Sequence, residues 1–145
     1  MHSHRISELK LLFCGLLLLL NVFVSCRRDN NQVPLVPVNM QININQPDFF
    51  GLSVVTGWVY VTGGSRGIIV YRKSQNEFLA IERNSTYNPA EGCAVIVNAD
   101  GIILSDPCSD SQWLITDASV IQGPASAPLQ TYSTSFQDPI LYISN

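Results

Sequence analysis

Histidine is nearly absent from this chain of 145 residues: His2 and His4 are the only two, and both precede the long apolar stretch near the N-terminus. If that leader is removed, no imidazole remains. Ser-His-Asp and Cys-His catalysis are thereby excluded, as is any zinc or iron site that relies on histidine. Charge is also scarce, at 13% of residues, and no basic cluster stands out. Losing Arg5, Lys10 and Glu8 with the leader takes Lys plus Arg from 8 to 6 and Asp plus Glu from 11 to 10, a net of −4. A mildly acidic chain without a Lys/Arg stripe lacks what phosphate backbones bind, so no nucleic-acid partner is expected. A convincing 3.6-residue apolar period is missing as well. What is plentiful is core: 46% of residues are hydrophobic, which sets the chain apart from disordered sequences. About 120 residues after the leader suffice for one domain.

The leader itself has a basic start, Arg5 and Lys10, followed by the apolar run Leu11 to Leu20. A run of about ten residues suits a secretion signal and falls short of the roughly 20 needed to span a membrane. Phe23-Val24-Ser25-Cys26 then resembles the lipobox of bacterial lipoproteins, with Phe23 where Leu is usual. The resemblance implies a signal peptide over 1–25, lipid on Cys26, and a membrane-lipid partner through that anchor. An ordinary secreted cysteine is the alternative. Residues 26–37 then form a polar tether stiffened by Pro34 and Pro37, and the domain runs from 38 to 145. The implied location is the bacterial envelope, with the domain in the periplasm or at the cell surface of the outer membrane.

From Val38 onward, short apolar runs alternate with turn residues. The runs are 38–44, 58–61, 68–71, 78–81, 94–97, 102–104, 113–115, 120–121 and 140–143, many of them rich in Val, Ile, Tyr and Trp. Short strands at this spacing predict an all-β fold of hairpins and loops, an antiparallel sandwich or a small barrel, with little or no helix, and the sandwich is the leading expectation. Asp100-Gly101 suits a two-residue type I′ turn. The register that sets Ala99 opposite Ile102 then sets Cys93 opposite Cys108. Facing Cα atoms about 4.5–5.5 Å apart lie within disulfide range. With Cys14 in the leader and Cys26 lipidated, these are the two thiols left, and pairing is the default in an oxidising compartment. Closing a loop of about 15 residues stabilises a fold by roughly 3 kcal/mol.

Taken together, several segments resemble a Rieske domain. Gly67-Ile-Ile-Val-Tyr-Arg72 and Phe78-Leu-Ala-Ile-Glu-Arg83 are similar to the strands that lead into the family's first cluster loop. Asp106-Pro-Cys-Ser-Asp-Ser-Gln-Trp113 resembles the second loop, Gly123-Pro-Ala the segment that covers the cluster, and Ile140 to Ile143 the last strand. The resemblance spans roughly 38–145. It implies a [2Fe–2S] centre held by Cys-x-His from one loop and Cys plus His from the other. Here Ser85 and Tyr87 take the first pair of positions, and Asp106 and Ser109 the second. None is a family ligand. Cys93 and Cys108 match the disulfide that braces the two loops in high-potential members. The resemblance therefore implies the Rieske fold with its disulfide kept and its cluster lost, and no cofactor is expected.

Other features read as structural. Asp106, Ser109, Asp110 and Ser111 are expected to form a solvated loop that caps its own backbone, with a weak Ca²⁺ or sugar site as the competing reading. Gly63-Gly64-Ser65-Arg66-Gly67 lacks the Gly-Lys-Ser/Thr ending of a phosphate loop and reads as a hairpin turn. Cys93 and Cys108 are too far apart for a Cys-x-x-Cys redox pair, which favours a staple. Trp58, Tyr60, Tyr71, Tyr87, Trp113 and Tyr132 are read mainly as core or rim, with a carbohydrate platform as the alternative; Tyr87 is expected in an exposed loop. The leading expectation is a non-enzymatic lipoprotein that binds an envelope protein or glycan or plays a structural part. The alternative is an electron-transfer lipoprotein holding a [2Fe–2S] centre through atypical ligands. A thiol–disulfide enzyme is the third reading.

Overall fold

The computed structural model describes residues 32–145. The expected signal peptide, Cys26 and the start of the tether lie outside the described residues. Ten strands follow in order: β1 Asn39–Asn43, β2 Trp58–Val61, β3 Ile68–Arg72, β4 Phe78–Glu82, β5 Ile96–Val97, β6 Ile103–Ser105, β7 Gln112–Leu114, β8 Val120–Gln122, β9 Thr131–Gln137 and β10 Ile140–Ser144. Helix among the described residues amounts to two short 3₁₀ segments, Pro47–Ser53 and Pro89–Glu91. The strands form two antiparallel sheets, β1-β10-β9-β4-β3-β2 and β5-β6-β7-β8. The all-β antiparallel sandwich is therefore the observed fold.

The larger sheet curls around its own core. Ile42, Ile68, Val70, Phe78, Ala80, Tyr132, Leu141 and Ile143 point inward, and Leu52 from the first 3₁₀ segment packs with them. The opposite face of β3 and β4 meets the smaller sheet through Ile69, Tyr71, Ile81, Val95, Leu104, Trp113 and Ile115. β3 thus contributes Ile68 and Val70 to one core and Ile69 and Tyr71 to the other, which is why it reads as an unbroken apolar run. β10 follows the simpler rule, burying Leu141 and Ile143 while its alternate residues are partly exposed.

β9 matches no predicted run. Its sequence, Thr-Tyr-Ser-Thr-Ser-Phe-Gln, buries Tyr132 and half-buries Thr134 and Phe136, while Thr131, Ser133, Ser135 and Gln137 face solvent. It pairs with β10 from Gln137↔Ile140 to Ser133↔Ser144, joined through Asp138-Pro139 with a cis peptide.

The β5–β6 hairpin keeps the expected register and changes the expected turn. Ile96 faces Ser105 and Val97 faces Leu104. The loop holds four residues, closed by the Asn98 N–H donating to the Ile103 carbonyl at 2.8 Å. Only Gly101 takes positive φ there, at 70°. Asp100 avoids the left-handed region, which disfavours a residue with a Cβ, and its Oδ1 accepts the N–H groups of Ile102 and Ile103. Because the loop grew by one residue on each side, the register survived.

Cys93 and Cys108 form a disulfide with Cα atoms 6.3 Å apart, beyond the ladder spacing expected. The difference has a cause. Before β5 the chain pairs with the continuation of β4: Val95 N–H donates to Arg83 O, Asn84 bridges Ala94, and Ser85 N–H donates to Cys93 O. Residues 93–97 therefore cross from the large sheet to the small one, and Cys93 lies outside the β5–β6 ladder.

Candidate functional site: a buried polar hub beside the disulfide

Ser85 follows β4, and Asp106 and Ser109 follow β6, so the two sheets deliver them to the same end of the sandwich. Three of the four expected positions meet directly. Asp106, 2% exposed, accepts the Ser85 hydroxyl at 2.7 Å and the Ser109 hydroxyl at 2.6 Å on Oδ2. Its Oδ1 accepts the Cys108 N–H at 2.9 Å. Ser85 Oγ in turn accepts the Tyr87 N–H at 3.1 Å. Ser109 Oγ lies 2.9 Å from Ser111 Oγ, and since the Ser109 proton is directed at Asp106, Ser111 is the donor in that pair. The Ala125 N–H then donates to Ser111 Oγ at 2.9 Å, which fastens the Gly123-Pro124-Ala125 segment over the hub. Every bond has a donor and an acceptor to match, as a buried polar network requires.

Two expectations change here. The Asp106 loop is not a solvated one: Asp106 and Ser111 are buried, and Asp110 alone of the four side chains is exposed. The self-capping part of the reading holds, through the Cys108 N–H on Asp106, but the deciding partner is Ser85, 21 residues away. Tyr87 is not in an exposed loop either. It is half-buried and packs against the second core, and only its backbone reaches the hub.

The ligand atoms of Cys93, Asp106 and Cys108 lie within 4.8 Å of one another. The two sulfurs, however, are bonded to each other, and the carboxylate already accepts three hydrogen bonds. This donor set does not fit an iron–sulfur cluster, which is held by soft thiolates and, in some centres, imidazole. What the hub can do is cross-link. It ties the β4–β5 and β6–β7 loops through hydrogen bonds to the Asp106 carboxyl group, and the segment above them through Ser111 Oγ.

A second buried carboxylate escaped the sequence reading. Glu82 ends β4, is fully buried, and accepts the N–H groups of Ser65 at 2.7 Å, Arg66 at 3.0 Å and Asn84 at 2.8 Å. The Tyr132 hydroxyl donates to it at 2.5 Å. Gly63 to Gly67 is a hairpin turn as expected, and its backbone also cradles an anion, the chain's own. Gly64, at φ +60°, lets the turn lie against that carboxylate, where a Cβ would overlap Glu82 Oε2 and the Tyr132 hydroxyl. Burial, and then the adjacent carboxylate, push the Tyr132 hydroxyl far above its ordinary pKa. Strand parity was a signal for this: Glu82 shares its face with Phe78 and Ala80, both in the first core.

The remaining aromatics divide. Trp113, Tyr71 and Tyr132 are buried, Trp58 is half-buried and Tyr60 is exposed. No family model and no curated protein matches this sequence.

Proposed function

We propose that this chain is a lipid-anchored protein of the bacterial cell envelope, with a Rieske-like domain that has exchanged its cluster for a polar hub. Its role on this reading is non-enzymatic, binding an envelope protein or glycan or bracing an assembly. The observation that carries the proposal is the bonding of Ser85, Asp106 and Ser109 to one another beside Cys93–Cys108. In the family these positions would hold the metal and the bracing disulfide. Oxygen donors committed to each other can do the mechanical work of a cluster, joining two loops, without its redox chemistry. Cys26 would supply the anchor and residues 26–37 the tether.

The test is an iron and acid-labile sulfide assay with a visible spectrum, on the full chain purified without oxygen from a bacterial host that lipidates such proteins. Absence of iron, sulfide and visible absorbance, with diacylglycerol on Cys26 by mass spectrometry, is the expected result. About two irons and two sulfides per chain, as for a [2Fe–2S] centre, would overturn the cluster-less part and favour electron transfer. An unmodified Cys26 would overturn the anchor.

A further inference from the structure

At the tip of the β5–β6 hairpin, away from the hub, a cleft of about 610 Å³ opens between the two sheets. That size falls in the range of small-molecule sites. One wall is aromatic. Trp58 and Tyr71 face each other across the β2–β3 ladder, so their side chains stand side by side on the same sheet face. Tyr60 packs edge-on against Trp58, with ring centroids 5.0 Å apart. Tyr60 is itself fixed, accepting the Val97 N–H at 2.9 Å and lying 4.2 Å below the Arg83 guanidinium. The wall is therefore braced from behind.

The polar groups on this cleft are largely unspent. The Trp58 indole N–H and the Tyr71 hydroxyl have no hydrogen-bond partner among the described residues, although such groups ordinarily find one when enclosed. Neither is sealed from solvent, since Asn84 Oδ1 and Ser105 Oγ are the buried atoms left unpaired. Gly101 borders the indole nitrogen, and a Cβ there would stand 3.6 Å from it. Asp100 commits Oδ1 to the N–H groups of Ile103 and Ile102, which hold its carboxyl below the usual range and keep it ionised. Its Oδ2 is free among the described residues. Thr56 and Thr116 add exposed hydroxyls, and no Lys or Arg lines the cleft.

A ligand for this cleft needs an apolar face for the indole, hydroxyls that donate to Asp100, and oxygens that accept from Trp58 and Tyr71. It must also carry no negative charge, because the one charged wall group is a carboxylate. We propose that the cleft is a binding site for a neutral glycosyl unit of an oligosaccharide, stacked on Trp58 and hydrogen-bonded by Asp100 and Tyr71. This goes beyond the hub and does not rest on the anchor or on the cluster-less reading.

The test uses the full chain in detergent, titrated with cellotriose, maltotriose and tri-N-acetylchitotriose while tryptophan emission is followed. Of the two tryptophans, Trp113 is fully buried, so Trp58 reports on the cleft. At least one sugar should give a saturable change. Asp100→Asn, which keeps Oδ1 for the backbone, and Tyr71→Phe, which removes a single hydroxyl, should each weaken it by about tenfold, the ratio that one lost polar contact produces. Tyr87→Phe, remote from the cleft, should leave it unchanged. The proposal fails if no sugar gives a saturable response, or if both cleft variants bind as the parent does. It fails equally if the cleft takes an apolar dye that none of the sugars displaces, which would mark an apolar partner instead.

Discussion

Replacing Glu82 with Gln alters a single atom and should destabilise the domain by about 3 kcal/mol. In the parent, Oε1 accepts Arg66 and Asn84 N–H groups and Oε2 accepts Ser65 N–H and Tyr132 O–H. The amide keeps one oxygen, which can serve Arg66 and Asn84. Its NH₂ then confronts the other two donors. The Tyr132 hydroxyl can rotate to accept from it, but the Ser65 N–H cannot, and an orphaned buried donor costs about 1–3 kcal/mol. The surviving bonds also lose their ionised partner, at roughly 1 kcal/mol each by the difference between charged and neutral hydrogen bonds. No longer burying a charge offsets part of that loss. Urea unfolding followed by tryptophan emission measures the change, with an unaltered m-value showing that both proteins unfold in the same way. Tyr132→Phe, measured alone and combined with Glu82→Gln, should give less than additive losses because the two share a bond. A loss below about 1 kcal/mol for Glu82→Gln would refute the account, since even a single orphaned donor costs that much.

Other perturbations follow from the same geometry. Cys108→Ser should cost about 2–5 kcal/mol in urea unfolding, and a loss below about half a kcal/mol would contradict the staple, because the bond closes a separation of 15 residues. Tyr132 is held above its ordinary pKa, so the folded state keeps a proton that the unfolded state releases above pH ~10. Its contribution is complete below that pH and falls as pH rises toward the folded pKa, by up to about 1.4 kcal/mol per unit. Tyr132→Phe should remove that alkaline slope in thermal melts taken across pH 9 to 11.5 (about the range bracketing a free tyrosine). Gly64→Ala should lower the melting temperature more than an alanine at exposed Ser133, since a side chain at φ +60° would press on both Glu82 and Tyr132.

Nine of the ten strands were legible as apolar runs because each carries Val, Ile, Leu or aromatic side chains between turn residues, even β2, β5 and β8, which bury no residue fully. β9 was not. Its inward positions include Thr134, and its outward ones are hydroxyl-bearing, so the alternation is one of size and partner and not of polarity. The hairpin register was readable from Asp100-Gly101, yet the turn type was not, because it depends on where the Asp100 side chain turns. At the hub, the sequence identified Ser85, Asp106 and Ser109 as neighbours but mistook their environment. A loop rich in Asp and Ser looks solvated until a partner 21 residues away closes over it. Glu82 shows the same limit, since its four donors come from three separate stretches of chain.

β3 and β4 serve both cores at once, and that arrangement governs how the molecule comes apart. The sheets share no strand, but the smaller one buries its inner face against β3 and β4. Loosening the smaller sheet uncovers Ile69, Tyr71 and Ile81, whose backbones are the same strands that carry Ile68, Val70 and Ala80 in the curled sheet. The smaller layer thus depends on the larger one for its core, whereas the curled sheet lines its first core with its own strands and the segment that carries Leu52. A protease would therefore find its first cut in the smaller layer, whose opening leaves the core of the curled sheet closed.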